Sequence, residues 1–227
     1  MIAVARPLLL AACTLVVLSI PAKAENPDDS LKFYAVHIIE GANAITSGNG
    51  VYLGAGLVLT AAHVAAGSVL TIKVGIGRRQ IKAEVVKRGQ FGGIDLALLS
   101  IDEASLPPNL RLRRLPICQE PPHTGEQVIV ATPDAITASH VIAPFLLPRD
   151  LEPKYRTAIS DVATTGNSGS GVFDTEQKCL LGIISAKIRE VRKRRDNGRP
   201  AEVSYDVAKY FVPSPVIAEF IATDKRP

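Results

Sequence analysis

Short apolar runs separated by Gly, Pro and polar residues recur along the chain from residue 33 onward, a pattern typical of β-strands. Many runs are apolar throughout, which fits strands that curl into a barrel or a sandwich. The Pro-rich stretch 105–109 divides them into two sets and predicts a linker. The first set is 33–39, 50–53, 57–60, 69–74, 81–87 and 96–101, and the second is 127–131, 139–147, 171–173, 180–185 and 203–212.

The two ends of this strand-rich region have different patterns. Residues 25–32 are polar and predict a loose arm. Residues 215–223 carry Val216 and Phe220 at helical spacing, and Ser214 is followed by Pro215. A serine N-cap with proline at the first helical position predicts a short C-terminal helix.

Residues 1–24 have the pattern of a secretory signal. Arg6 precedes an almost continuously apolar stretch at 7–20, and Ala22 and Ala24 form a small-x-small cleavage site. The stretch is too short to span a bilayer comfortably, so we expect cleavage after Ala24 and no stable membrane insertion afterwards. An uncleaved anchor or a buried helix is the alternative interpretation. The expected location is the periplasm or the outside of the cell.

Composition indicates a globular protein and excludes a strongly basic one. Of 227 residues, 47% are hydrophobic and 21% are charged. Loss of Arg6 and Lys23 with the signal lowers the formal charge from +4 to +2. We therefore expect no nucleic-acid partner. Cys118 and Cys179 remain after cleavage, and in an oxidising compartment they form a disulfide or stay as free buried thiols.

The first candidate catalytic residue is His63, in the string Thr-Ala-Ala-His after an apolar strand. An imidazole suits general base catalysis because its ordinary pKa lies near neutral pH. The small Ala61 and Ala62 allow a tight turn beside the ring. Taken alone, such a histidine is more often a structural residue than a catalytic one.

The second candidate is Asp95, which opens the apolar run Leu-Ala-Leu-Leu. A carboxylate beside so much apolar surface needs a partner. An exposed acid at a strand start is the alternative. Asp102 is the nearest competitor, but Glu103 follows it in a predicted surface turn.

The third candidate is Ser168, in Gly-Asn-Ser-Gly-Ser-Gly. A nucleophilic serine needs exposure, a nearby base and donors for the developing oxyanion, and flanking glycines let the backbone turn sharply. A flexible linker is the alternative, but the apolar Val172 and Phe173 follow directly.

The three candidates occur in the order His, Asp, Ser, which among serine hydrolases is the chymotrypsin order. The strings Thr-Ala-Ala-His, Asp-Leu-Ala-Leu-Leu and Gly-Asn-Ser-Gly-Ser-Gly resemble those of bacterial trypsin-like serine proteases, including the glutamyl-endopeptidase and HtrA branches. The resemblance covers about residues 33–223.

This resemblance implies an all-β fold of two six-stranded antiparallel β-barrels of the chymotrypsin type with a short C-terminal helix. The protease domain would span 25–227, with barrels at 33–105 and 116–213 and the helix at 214–223. It also implies that both cysteines lie on the outer face of the second barrel.

The resemblance implies a role for several further residues. The amides of Gly166 and Ser168 would form the oxyanion hole, and Ser185 would support Asp95. The residues implied in substrate binding are Val162, Ala163, Ile184, Ser185, Ala186 and Val203. Because Ile184 stands where glutamyl endopeptidases carry a histidine, we expect small or medium apolar residues, and not glutamate, before the scissile bond. Asp161 is close enough in sequence to change this pocket by a one-residue shift.

The sequence departs from the family pattern at positions that would control activation or regulation of the enzyme. Asn167 is neutral, and the mature N-terminus lacks Ile-Val-Gly-Gly, so activation by a salt bridge from a new N-terminus is not expected. No second, PDZ-like domain is expected after Pro227.

The sequence thus predicts a serine endopeptidase acting on protein or peptide substrates through an acyl-enzyme. A catalytically silent binding protein on a protease scaffold and an esterase using the same triad are the alternatives. No cofactor or metal is predicted, because no Cys/His cluster has ligand spacing, and His37, His123 and His140 are interpreted as structural or exposed. The sequence does not indicate the oligomeric state.

One charged segment stands apart from these motifs. Residues 187–199 have a formal charge of +5 and contain Asn197-Gly198, which indicates a turn between two extended arms. It is either a solvated surface loop or an electrostatic rim that attracts acidic substrates or an anionic surface.

Overall fold

The predicted pattern of short strands and turns forms two antiparallel sheets. The structure is a computed structural model, which describes residues 27–40, 45–66, 70–74, 80–149, 156–160, 168–196 and 199–223. The expected signal segment lies outside the described residues. No helix in these ranges is long and apolar enough to cross a membrane.

The first sheet is a closed barrel. Its strands are β1 (Ala35–Glu40), β2 (Ile45–Gly54), β3 (Leu57–Thr60), β4 (Leu70–Val74), β5 (Gln80–Arg88) and β6 (Ala97–Ile101). They are joined in the order β1-β2-β3-β6-β5-β4, and β4 pairs again with β1. Val58 pairs with Leu99 across β3 and β6, and both are fully buried, which explains why these runs are apolar.

The second sheet has six strands in the order β8-β7-β10-β11-β12-β9. The sheet curls so far that Val141, next to β8, bridges to Ile159 on the opposite edge. The predicted all-β class with two six-stranded antiparallel systems is therefore confirmed. The strands are β7 (Gln127–Ala131), β8 (Ile136–His140), β9 (Ala158–Ile159), β10 (Gly171–Asp174), β11 (Leu180–Asp196) and β12 (Arg199–Pro213).

The predicted strand 139–147 is wrong. The strand here is β8, which ends at His140, and Pro144–Leu146 form a short 3-10 helix. Pro144 has no N–H for a ladder and its fixed φ suits the first turn of a helix. The run was apolar because Leu147 is buried against Ala158 and Ile188, not because it is a strand.

The loose arm predicted at 25–32 is also wrong in the part the structure describes. Pro27–Tyr34 form a 3-10 helix, and Leu31 is 1% exposed. Leu31 belongs to a core cluster that includes Leu59 of the first barrel and Phe173 of the second sheet. Leu31, with the partly buried Tyr34 beside it, therefore packs this segment where the two sheets meet.

The linker between the sheets is more ordered than a Pro-rich stretch suggests. Glu103–Ser105 form a 3-10 turn, and α1 (Pro108–Arg111) follows. Leu106 and Leu110 are buried in the core of the first barrel.

The C-terminal helix α2 (Ser214–Ala222) is present, with Ile217 and Phe220 buried. Its N-cap is Pro213 rather than Ser214, which is the first helical residue. The hydroxyl of Ser214 instead donates to the carbonyl of Glu120 at 3.2 Å. This bond fixes the helix to the chain that enters the second sheet.

Candidate active site

His63 lies in a turn directly after β3. The amide of Val64 donates to the carbonyl of Ala61 at 3.1 Å, and Ala61 is fully buried, so only a small side chain fits beneath the turn. The His63 Nδ1 atom lies 2.8 Å from Asp95 Oδ2, and its backbone amide donates to Asp95 Oδ1 at 3.1 Å. Ring and backbone are therefore both fixed by the same carboxylate.

Asp95 is 2% exposed, and its loop is held by backbone bonds from Gly89 to Leu96 and from Gln90 to Ile94. The hydroxyl of Ser185 donates to Asp95 Oδ2 at 2.6 Å. Burial by itself raises the pKa of the Asp95 carboxyl, but the hydrogen bonds from His63 and Ser185 outweigh it and hold this pKa below its ordinary value. The site therefore keeps a buried negative charge beside the imidazole.

Ser168 starts a turn that is attached to both sheets. Its carbonyl accepts from the amide of Asn49 in β2 at 2.8 Å. On the other side, the amide of Gly169 donates to the carbonyl of Ile184 at 2.7 Å, and the amide of Ile184 donates to the carbonyl of Ser170 at 2.9 Å. The turn thus lies between β2 and β11.

Gly169 is required by this packing. Its φ is +84°, and an added Cβ would collide with the carbonyl oxygen of Asn49 and the hydroxyl of Thr60. Since Thr60 is three residues before His63, the same close approach brings the Ser168 turn against the segment that carries the histidine. Sequence reasoning predicted glycines here for a sharp turn, and the structure adds the close contact.

The described hydrogen bonds connect His63 with Asp95, but they do not connect His63 with Ser168. Both described hydrogen bonds of His63 go to Asp95, and Ser168 is held through its backbone. A bond between His63 Nε2 and the Ser168 hydroxyl remains a prediction. Gly166, Val162 and Ala163 lie outside the described residues, so the oxyanion hole and that wall of the pocket also remain predictions.

Asn49 was not identified from the sequence. It is 5% exposed, and its Nδ2 donates to the Ser170 hydroxyl at 3.0 Å, while its Oδ1 lies 3.2 Å from His37 Nδ1. An asparagine between Gly48 and Gly50, directly before the apolar Val51, was the available signal. Its backbone and side chain together hold the Ser168 turn at two points.

Phe91 was also missed. Its ring contacts the His63 ring edge to face, with centroids 5.4 Å apart, although Phe91 is 62% exposed. An exposed aromatic beside the Gly-Gly before Asp95 was the only sequence signal.

A small cavity of about 80 Å³ adjoins Asp95. Phe91, Gly92, Gly93, Asp95, Ser185, Ala186 and Tyr210 line it. Ser185 and Ala186 are thus beside Asp95, and their role in substrate binding remains a prediction. Ile184 is 2% exposed and packs with Val172 and Phe211 in the interior of the second sheet.

Val203 is not where the sequence placed it. It pairs with Arg192 in the outer part of the β11–β12 hairpin, and Tyr210 is the residue that pairs with Ala186. The arms of this hairpin are longer than the predicted strands, so counting residues without the pairing register misplaced Val203.

Asp102 and His140 are titratable residues that lie in surface structure. The Asp102 carboxylate accepts from the amide of Ala104 and the hydroxyl of Ser105, which caps a 3-10 turn. His140 contacts the Ser160 hydroxyl at 3.1 Å. In the ranges that the structure describes, no three His, Cys, Asp or Glu residues are grouped to hold a metal ion.

Comparison with known proteins identifies the same fold. The sequence model of the trypsin-like peptidase domain matches residues 48–183. No curated protein matches the chain. Similar solved structures include a serine-to-alanine mutant of Rv3671c from M. tuberculosis H37Rv in its inactive form, with 17% identity, a TM-score of 0.58, and coverage of 94% of this chain and 98% of that chain.

Two further structures extend the comparison. The MamO protease domain from Magnetospirillum magneticum has 18% identity and a TM-score of 0.54, covering 83% of this chain and 96% of that chain. Mouse neuropsin, a serine protease, has 14% identity and a TM-score of 0.61, covering 86% and 95%. At these identities the likeness concerns the fold.

Proposed function

The chain belongs to the trypsin-like peptidase domain family, and we propose that it is a serine endopeptidase with His63, Asp95 and Ser168 as its catalytic triad. The observation that carries the proposal is the buried Asp95 carboxylate, which is bonded by His63 Nδ1 and by Ser185. A carboxylate that orients an imidazole beside a glycine-bounded serine turn is the arrangement that activates a serine.

Acylation begins when the Ser168 Oγ attacks the carbonyl carbon of the substrate peptide bond. His63 Nε2 takes the hydroxyl proton as the Oγ–C bond forms. The tetrahedral intermediate then collapses, the C–N bond breaks, and the leaving amine takes that proton from Nε2. The products of this half-reaction are the free amine and an ester on Ser168.

Deacylation repeats the sequence with water. Nε2 takes a proton from the water as the water oxygen attacks the ester carbonyl. When the bond between carbonyl carbon and Oγ breaks, Nε2 returns the proton to Oγ. A carboxylic acid leaves and the enzyme is restored.

Asp95 acts through the imidazole. By accepting at Nδ1 it keeps the proton on that nitrogen, which leaves the lone pair of Nε2 free to act as the base. Its charge also stabilises the imidazolium that forms when Nε2 is protonated.

The amides of Gly166 and Ser168 are the proposed donors to the oxyanion. The left-handed turn at Gly169, anchored on Asn49 and Ile184, supports this role because it fixes the direction of the chain at Ser168. Donors fixed before the reaction stabilise the developing charge without reorganisation.

The proposed location is the periplasm or the outside of the cell, with the signal cleaved after Ala24. The Cys118–Cys179 disulfide supports this location, since structural disulfides form and persist mainly in oxidising compartments.

The test compares the parent with Ser168→Ala, using casein, an ester substrate and a fluorophosphonate probe. We expect the parent to cleave casein and to be labelled at Ser168, and the variant to lose at least about 10³-fold in rate and all labelling. Ser204→Ala, at an exposed serine on β12, is the matched control and should behave like the parent.

Each other outcome contradicts the proposal in a specific way. Proteolysis by pure Ser168→Ala would remove Ser168 as the nucleophile. A labelled parent that cleaves only the ester would be an esterase. A folded parent that is neither labelled nor active would be a binding protein on a protease scaffold.

A further inference from the structure

One buried charge is not explained by the triad. In the part of the chain that the structure describes, the buried charged residues are Asp95 and Lys209, and Lys209 is only 3% exposed. Burial of a lysine is expensive unless its ammonium is bound by polar or anionic groups. A lysine in this state is therefore a candidate for a specific role.

The strand pairing shows which way Lys209 faces. Neighbouring residues on a strand point to opposite faces. Ala208 packs with Ala158 and Ile188 on one face of the sheet, whereas Phe211 packs with Ile184 on the other. Lys209 is two residues from Phe211, so it shares the interior face with it.

The interior face at this level lies close to the Ser168 turn. Ile184 exchanges two hydrogen bonds with that turn, and it pairs with Phe211 on β12. Adjacent strands are about 5 Å apart and two residues span about 7 Å along a strand. The backbone of Lys209 is therefore on the order of 10 Å from the turn, a gap that a lysine and a substrate side chain can bridge together.

We propose that Lys209 is a specificity-determining residue whose ammonium binds the side-chain carboxylate of the substrate residue that supplies the scissile carbonyl. The enzyme then cleaves after glutamate or aspartate. This inference rests on the proposed peptidase function and replaces the expectation of an apolar preference, which had assigned Val203 rather than Lys209 to the pocket.

The surroundings of Lys209 favour an anionic ligand. Lys187 on β11 is the strand partner of Lys209 on β12. The ammonium of Lys187 is bonded to the carboxylate of Asp206 at 2.7 Å, and Arg189 is bonded to the same carboxylate at 3.0 Å. Asp206 is therefore already shared by two other cations. Because an ammonium has three donors, Lys209 can bind a substrate carboxylate together with a partner inside the protein.

The experiment measures kcat/KM for peptides that differ only in the residue before the scissile bond, which is Glu, Asp, Gln, Ala, Leu or Lys. We expect the parent to prefer Glu or Asp to Gln by at least about tenfold, the range of a hydrogen bond to a charged group. Lys209→Met should bring the Glu-to-Gln ratio close to one, and Lys209→Arg should keep a preference for the acid. Lys82→Met, at an exposed lysine on β5, is the control and should leave every ratio unchanged.

The readouts separate this proposal from the function on which it rests. Fluorophosphonate labelling of each variant reports whether the triad is assembled. A labelled parent that prefers Leu, Ala or Lys overturns the role of Lys209, and so does a labelled Lys209→Met that keeps the Glu preference. If Lys209→Met does not fold, the kcat/KM preferences of the parent and of Lys209→Arg still test the role of Lys209. A parent that is not labelled and cleaves no peptide refutes the peptidase function instead.

Discussion

At the residue scale, Asp95 shows two physical effects in opposition. Burial raises the pKa of its carboxyl, whereas donors from His63 and Ser185 lower it, and the donors win. The Ser185 hydroxyl comes from β11 and the imidazole from the turn after β3, so two separate parts of the chain stabilise one charge. The ionised form of Asp95 is therefore linked to the folded state.

This linkage predicts how stability depends on pH. A carboxyl with a lowered pKa in the folded state adds stability above its unfolded pKa of about 3.9 and loses it as the pH falls through the folded pKa. The excess free energy of unfolding of the parent over Asp95→Asn should therefore shrink as the pH falls below about 4. Urea unfolding of both proteins at a series of pH values, in a Ser168→Ala background that prevents self-digestion, measures this difference.

Glu84→Gln, at an exposed carboxyl on β5, is the control for the loss of one negative charge. If the difference between the parent and Asp95→Asn were constant down to about pH 2, the lowered pKa of Asp95 would be wrong. Asp95→Asn should also reduce kcat by about 10⁴-fold, as in other serine proteases with this triad, because the Asn side chain favours the wrong tautomer of the His63 imidazole.

At the scale of elements, β11 and β12 form the longest strand pair in the described part of the chain. Its arms are 17 and 15 residues long, and the arms themselves agree with the predicted pair of extended segments. Glu202 and Asp206 on the returning arm, offset in part by Lys209, lower the formal charge from +5 for residues 187–199 to +4 for the whole hairpin. Arg192 is bonded to Glu190 at 2.8 Å, so part of the positive charge is neutralised within the hairpin.

We predict a limited electrostatic effect from the remaining charge. Replacing Arg192, Lys193, Arg194 and Arg195 with Gln should slow cleavage of acidic protein substrates at low salt and have little effect at high salt, because salt screens exposed charges over about 8 Å at physiological ionic strength. Initial rates on acidic and neutral substrates across a salt series measure this effect. Neutral peptides are the internal control.

Equal rates for this variant and the parent on acidic substrates at every salt concentration would leave the hairpin as a solvated surface element. The effect of the exposed hairpin charges and the effect of Lys209 are distinguishable by their dependence on salt. The exposed charges act over distance and are screened, whereas a carboxylate bound by a buried ammonium is screened much less.

At the scale of the whole molecule, one core cluster joins the two sheets. Leu59 and Leu98 of the first barrel pack in it with Phe173 and Ile183 of the second sheet, and Leu31 contributes from the N-terminal 3-10 helix. Because His63 follows β3 and Ser168 precedes β10, this shared core sets the distance between the proposed base and the proposed nucleophile. The site therefore depends on how the sheets pack, not on either sheet alone.

The Cys118–Cys179 disulfide lies in the buried interior of the second sheet. Cys118 and Cys179 are 7% and 4% exposed and lie in a buried cluster with Val128, rather than on the outer face implied by the family resemblance. The amide of Cys118 also donates to the carbonyl of Leu180 at 3.0 Å. The disulfide and this hydrogen bond together attach the chain after the linker to the start of β11.

Replacing both cysteines with alanine should lower the free energy of unfolding. The loop of 61 residues gives about 4 kcal/mol in the chain-entropy model, and measured losses are often smaller. Urea unfolding of the double variant and of the reduced parent, both with Ser168→Ala, should give similar losses. Two titratable thiols in the unreduced, denatured protein exported to a periplasm would contradict the prediction.

The sequence by itself determined the features that depend on neighbouring residues. Apolar runs and turn residues predicted β3 and β7 with the same bounds that the structure has, and the glycines around Ser168 predicted a sharp turn. Ala61 and Ala62 similarly predicted a close turn at His63. Such patterns are local because they follow from side-chain period and backbone freedom.

The tertiary structure decided which distant side chains meet. Register and sheet curvature placed Tyr210 rather than Val203 beside Ala186, put Asn49 under the Ser168 turn, and turned Lys209 to the interior face. None of these contacts is encoded in the residues next to each position. A shift of one residue in strand pairing moves every side chain to the opposite face, so the chemistry of the pocket is fixed only when the sheets have paired and packed.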